Sequence, residues 1–250
     1  MRRFDMGDAW VQTVAMLKGN REILAVIAGF FFFVPSLLWS LMAGDPPQPE
    51  PGADLTRIMQ QMTDYLRPAA PWLLLAAVAS IIGSLCVWRL MLARGGTSVG
   101  AALSLALALF ISYFVASILV GIATGIGFLA FIIPGLYLSA RFALTGPHMA
   151  ATTTKNPIDA MSASWAITKG QGWWILLYSV IVALVGAILV EIASVIFGGL
   201  FALTLPEALA NTLSNIVRAL CGAALTTVMV VAYAAVYRQL DPQKTTETFE

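Results

Sequence analysis

Charge is what this sequence has least of. Charged residues make up 11% of its 250 positions and hydrophobic ones 59%. A soluble domain carries about a quarter of the first and about half of the second. The few charges are clustered, leaving long windows with none. Burying several such windows in one soluble core would leave too little polar chain to cover it, and a bilayer is the simpler solvent. Histidine occurs once, as His148, with no carboxylate or nucleophile pattern around it in the sequence. No catalytic residue is therefore expected, and the chain does not read as an enzyme. The two cysteines, Cys86 and Cys221, sit inside apolar runs and read as small core residues, not as a disulfide framework or metal site. No cofactor is implied either. The glycine-rich stretch GIATGIG, at 121–127, lacks the Lys-Ser/Thr and the preceding strand of a phosphate loop. A formal net charge of +1 gives no electrostatic case for nucleic acid.

What is present is a series of apolar runs about 20 residues long, the length of a membrane-crossing helix. The expected fold class is all-α, a polytopic transmembrane bundle with short amphipathic interfacial helices. Six spans are expected, at about 23–42, 71–91, 102–121, 127–145, 173–196 and 213–237, followed by a polar tail at 241–250. The run 101–144 is too long for one crossing and is split at 121–127. A split at 133–135 would shorten the fourth span and place Arg141 deep in lipid. Pro35 and Pro134 are expected to bend their spans. Arg2 and Arg3 stand well ahead of the first apolar run, separated from it by a polar, helical pattern. That arrangement does not read as a cleaved leader, and the first span is expected to be retained.

Lysine and arginine set the orientation. With the N-terminus inside, eleven of the 14 fall on inner segments, and only Arg57, Arg67 and Arg218 fall outside. Both termini are therefore expected in the cytoplasm, in a bacterial inner membrane. Trp39, Trp72, Trp88, Trp173 and Trp174 fall at expected span ends, as interfacial anchors do. The largest outer loop opens with the Pro-rich GDPPQPEPG. It continues into a helix expected at 55–66, capped by Asp54, with Leu55, Ile58, Met59, Met62, Tyr65 and Leu66 on one stripe.

Two segments repeat each other. DAWVQTVAMLKG begins at Asp8 and DAMSASWAITKG at Asp159, sharing Asp, Ala, Ala, Lys and Gly in register. Each reads as a short self-capped helix, expected at 6–18 and 157–169. Asp5 and Asn156 are the N-caps, with Pro157 at the first helical position. Asp8 and Asp159 suit the first turn, and Lys18 and Lys169 the last. Gly19 and Gly170 suit a left-handed C-terminal position. Trp10 with Val14, and Met161 with Trp165, form matching apolar pairs, as expected of helices lying at the cytoplasmic interface.

The stretch IPGLYLSARFAL, a short connector and AMSASWAITKGQGWW together resemble a family of bacterial inner-membrane proteins. These are the YciC-type proteins and the membrane domain joined to some glycerophosphoryl diester phosphodiesterases. The matching residues are Pro134, Gly135, Arg141, Ala160, Ser164, Trp165, Lys169 and Gly170. Ala163 stands where many relatives carry a basic residue. The resemblance implies the six-span architecture without the catalytic domain, and it implies no mechanism.

Two charged groups stand out. Glu191 interrupts the fifth span and Arg218 opens the sixth at a similar expected depth, which makes them a candidate intramembrane pair. Arg89, Arg94, Arg141 and Lys169 lie at the cytoplasmic side. They are either ordinary positive-inside anchors or contacts for anionic headgroups. The expected role is a non-enzymatic scaffold, assembly or envelope-maintenance factor. Its partners would be membrane lipids, other membrane proteins or a second copy of the chain. The alternative is a small transporter or lipid-translocating protein using Glu191 and Arg218. A transporter requires a polar cavity reaching into the membrane, and a scaffold an exposed groove on a dry bundle.

Overall fold

The computed structural model describes residues 4–43, 47, 52, 54–93 and 95–240. All regular structure among them is helical: α1 (Met6–Gly19), α2 (Arg21–Ala28), a π turn (Gly29–Phe33), α3 (Val34–Ala43), α4 (Leu55–Leu92), α5 (Val99–Ala130), α6 (Ile132–Phe142), α7 (Thr145–Thr152), α8 (Pro157–Ile167), α9 (Gly172–Thr204) and α10 (Glu207–Leu240). Five helices are long and apolar enough to cross a membrane: Arg21–Ala43, α4, α5, α9 and α10. The tail 241–250, Arg94 and most of the Pro-rich loop lie outside the described residues.

The caps of the repeated segments form as their residues dictate. Asp5 accepts a hydrogen bond from the Asp8 N–H at 2.8 Å, and Asn156 accepts one from Ile158 N–H at 3.0 Å. Asp8 and Asp159 lie in first turns. Gly170 takes the left-handed conformation, with φ +75°, as the C-terminal glycine is expected to. Gly19 does not. It stays helical, and the break comes at Asn20, whose side chain donates to Met16 O at 2.9 Å. The amide does the capping, so the glycine's freedom is not needed. In α8 regular helix stops at Ile167, so Lys169 falls in the turn beyond it, not in the last turn of the helix.

Helix boundaries are where the structure departs most from the expected spans. The loop helix at 55–66 and the span at 71–91 are one 38-residue helix, with Pro68 and Pro71 inside it. Lost N–H donors can be tolerated in such a helix when its neighbours and local adjustments compensate. Pro35 does not break its span either. The π turn before it shifts the bonding register, with Val34 N–H donating to Gly29 O five residues back. The segment 121–127 is not a turn: α5 runs unbroken through it, and the chain reverses at Phe131. Proline places that reversal. Pro134 is the third residue of α6, where its missing N–H has no intrahelical partner to lose. The fourth apolar segment is thus 132–142, about 16 Å of helix, not 127–145. Gly127 and Gly135 permit the tight return, for a Cβ on Gly135 would overlap the Phe128 ring.

Long-range hydrogen bonds gather several chain ends at one end of the bundle. Phe4 N–H donates to Gln171 Oε1 at 3.2 Å, and Asp5 N–H to Gln239 Oε1 at 3.2 Å. Arg89 Nη1 donates to Ala150 O at 3.3 Å and Ala151 O at 3.4 Å. We call this the proximal end. The α5–α6 hairpin leaves and returns to it, so the start of α9 lies beside the end of α10. Trp88 is not an interfacial anchor. It is buried, and its indole N–H donates to Val230 O at 2.9 Å. The α9–α10 connection is only Leu205 and Pro206.

The two glycine environments in the hairpin give a direct test. Gly135→Ala should lower stability by about 1–3 kcal/mol through overpacking on Phe128. Gly125→Ala, with nothing within 4 Å of its Cβ position, should leave stability unchanged or raise it by up to about 1 kcal/mol. Thermal unfolding of both variants in the same micelle checks the contrast.

Candidate functional site

A cation in the apolar interior fixes the layout of the proximal end. Arg141, in the last turn of α6, is only 3% exposed. An arginine cannot shed its charge, so the surrounding structure has to compensate it. Its Nη2 donates to Trp165 O at 2.7 Å, at the C-terminal end of α8, where the helix dipole is negative. The guanidinium carbon lies 4.1 Å from the Trp165 ring centroid and 5.9 Å from that of Tyr137. A desolvated cation–π contact is worth about 2 kcal/mol and a charged hydrogen bond about 1.5–3 kcal/mol. Together these are of the order of the several kcal/mol that burying the ion costs. No carboxylate pairs with Arg141 among the described residues, and its Nε and Nη1 meet no acceptor.

The backbone of the same residue completes a knot. Arg141 O accepts from Ser164 Oγ at 2.8 Å and from Thr168 Oγ1 at 3.2 Å. Gly172, the first residue of α9, lies close against Tyr137 and the Arg141 side chain. Ala160 is fully buried and packs with Ala116 and Met149. Of the eight residues that carried the family resemblance, Arg141, Ser164 and Trp165 form the knot, Ala160 and Gly170 lie beside it, and Pro134 and Gly135 shape the α5–α6 turn. Lys169 is the exception, exposed in the turn.

The repeat finds its meaning on the small face of each helix. Ala9 and Thr13 of α1 correspond to Ala160 and Ser164 of α8, and all four are buried. Thr13 Oγ1 lies 3.0 Å from Tyr178 Oη, just as Ser164 reaches Arg141. Trp10 and Trp165, the large members of the apolar pairs, are 46% and 40% exposed. Both helices thus dock through small and hydroxyl residues and turn a tryptophan outward. The five-letter identity carried Ala9 and Ala160, while the hydroxyls opposite Thr13 were legible only as a Thr/Ser match.

The other candidate residues separate. Arg89 is a positioning residue that binds the last carbonyls of α7. Arg94 lies outside the described residues. Glu191 and Arg218 do not pair. Gly186 seats on Leu225 and Gly198 on Ser214, so α9 and α10 are antiparallel, and Glu191 comes within about 4 Å of the level of Arg218. The two residues share a level along the helix pair, but they point to different sides of it. Five residues on from Gly186, Glu191 lies about 140° round the helix from the α10 contact. Both residues are exposed, and no partner meets either among the described residues. His148 Nδ1 lies 3.1 Å from Tyr237 Oη.

Among the described residues, two of the spaces in the bundle flank α9. One is an apolar groove of about 720 Å³ between α1, α9 and α10, walled by Met6, Trp10, Val182, Leu189 and Ala224 among others. It starts at α1 and follows α9 from Tyr178 to Val190, about 18 Å. The other is a cleft of about 380 Å³ on the opposite side of α9, lined by hydroxyl and apolar side chains. No family model, curated protein or solved structure matches the chain.

The knot makes unequal demands on neighbouring residues. Ser164→Ala should cost about 1 kcal/mol, whereas Lys169→Ala should stay within about 0.5 kcal/mol of the parent. Equilibrium unfolding in mixed micelles distinguishes the two.

Proposed function

We propose that this chain is an integral protein of a bacterial inner membrane that holds lipid in its bundle. Its role in this reading is non-enzymatic: a scaffold, assembly or envelope-maintenance factor. The supporting observation is the apolar groove, which runs beside exposed Trp10 and then along α9 for roughly half the apolar thickness of a bilayer, about 30 Å. Its walls are apolar, as an acyl chain requires, and α1 forms one side of its proximal mouth.

The topology belongs to the same proposal. In this reading both termini lie in the cytoplasm: α6, about 16 Å long, is too short to cross and returns with α5 as a hairpin beside four full passes. The basic residues support this orientation, since Lys18, Arg89, Lys155 and Arg238 gather near the proximal end. The α5–α6 turn carries only apolar residues from 125 to 136, which suits a hairpin whose tip stays in lipid. α1 and α8 are proposed to lie along the cytoplasmic interface with Trp10 and Trp165 in the headgroup layer. The YciC-type resemblance supports the reading, because three of its residues, Arg141, Ser164 and Trp165, are hydrogen-bonded to one another. Transport through Glu191 and Arg218 has less support, since neither residue lines the groove or the cleft.

Filling the groove tests the proposal. Ala224 is exposed on its wall, so Ala224→Trp should leave the fold intact. Native mass spectrometry of protein released from membranes should then show lipid retention reduced at least fivefold relative to the parent. Equal retention by a folded variant contradicts the proposed role of the groove.

A further inference from the structure

The width of the apolar groove restricts what it can hold. A volume of about 720 Å³ spread over about 18 Å leaves a mean section of about 40 Å². A helix about 10 Å across needs about twice that section, so the groove does not take in a helix of a partner or of a second copy. A hydrocarbon chain is thinner. Its atoms meet their neighbours at about 4 Å, which gives it a section of about 15–20 Å². Two chains side by side fill the groove.

Its length restricts where the chains come from. Gly186 seats on Leu225 in the antiparallel α9–α10 pair, so Cys221 stands level with Val190 at the far end of the groove. The near end is α1, tied to the proximal end through the Phe4 and Asp5 backbones. The span of about 18 Å between them is close to half of the roughly 30 Å of hydrocarbon in a bilayer. That is the depth of one leaflet. At roughly 1.2 Å per bond of extended chain, it accommodates about 15 carbons.

The lining offers a headgroup almost nothing. No Asp, Glu, Lys, Arg or His takes part in it. Thr13 donates its only proton to Ala9 O at 2.8 Å, so the Tyr178 hydroxyl, 3.0 Å from Thr13 Oγ1, spends its own on Thr13. One donor remains. Trp10, 46% exposed on the α1 wall, has an indole N–H with no partner among the described residues. Indole rings sit where hydrocarbon meets headgroups. At that level an N–H meets the ester carbonyls, which diacyl lipids share whatever headgroup they carry. We infer that the groove binds the two acyl chains of one lipid of the proximal leaflet, ester end at Trp10 and chain ends at Cys221, without selecting the headgroup. The inference rests on the lipid-holding role proposed for the groove and narrows it.

Protection of the native Cys221 thiol tests it. Delipidated protein held in amphipol would be treated with N-ethylmaleimide, and mass spectrometry separates Cys221 from the buried Cys86. The probes are phosphatidylcholines with two chains of 8 or of 16 carbons, and lysophosphatidylcholine with one chain of 16. Phosphatidylglycerol and phosphatidylethanolamine with two chains of 16 vary the headgroup. The three long diacyl lipids should slow modification at least fivefold at saturation, within twofold of one another. The 8-carbon lipid and the lysolipid should slow it less than twofold. Trp10→Phe should raise the concentration for half-protection at least threefold with all three headgroups, and leave the unprotected rate within twofold. Ala224→Cys reads the same wall from an exposed position, should Cys221 prove unreactive. Equal protection by the lysolipid or the 8-carbon chains, a headgroup preference beyond twofold, unchanged half-protection in Trp10→Phe, or no modification at either position overturns the inference. Absence of protection by every lipid overturns it too. In each of these cases the groove keeps its lipid role only if Ala224→Trp lowers lipid retention, which separates the two failures.

Discussion

The proximal end depends on one buried guanidinium. Arg141 cannot be neutralised, and no carboxylate accompanies it among the described residues. Its charge is compensated by geometry: the C-terminal carbonyl of Trp165, the faces of Trp165 and Tyr137, and little else. That requirement brings α8 to α6, and the hydroxyls of Ser164 and Thr168 fix the docking from the other direction through Arg141 O. The position of α8 then sets where Gln171 and Gly172 lie. Gln171 holds the backbone of Phe4, and Gly172 begins α9. A local electrostatic problem thereby organises the short helices, the N-terminal helix and the long α9–α10 pair.

α9 then serves as a partition. Tyr178 faces α1 and the apolar groove, while Ser179, the next residue, faces the cleft, as a rotation of about 100° per residue allows. A single helix can separate two spaces of different lining because its neighbours differ. On the first side are Met6, Trp10 and Ala224. On the second are the hydroxyls of α5 and α6 and the uncapped start of α7. The bundle thus holds an apolar groove on one side of α9 and a smaller cleft of mixed lining on the other, and the groove carries the lipid-binding reading.

Much of this was legible in the sequence where the cause is local. Asp5 and Asn156 cap as their positions dictate, Gly170 takes its left-handed turn, and the apolar runs became long helices. What was not legible required partners distant in the chain. The helix expected at 55–66 and the span expected at 71–91 were read as separate, yet α4 runs through both and through Pro68 and Pro71 between them. The glycines at 121–127 looked like a turn, but the reversal waits for Pro134 to begin a new helix. Trp88 looked like an interfacial anchor until Val230 O supplied its buried acceptor. Glu191 and Arg218 shared a level, but only the α9–α10 contact at Gly186 fixes the rotation that parts them. Arg141 was visible as a charge near a span end. That its partners would be a tryptophan face and a helix terminus depended on the fold of the connector between them.

The central claim is that Arg141 and Trp165 act as one unit, and a double-mutant cycle measures it most directly. Arg141→Met, Trp165→Leu and the double variant would be unfolded in the same mixed micelle beside the parent chain. A coupling energy of at least about 1 kcal/mol is predicted, because either single change already removes the cation–π contact. Additive effects, agreeing within about 0.5 kcal/mol, would contradict the claim and leave the placement of α8 to packing alone.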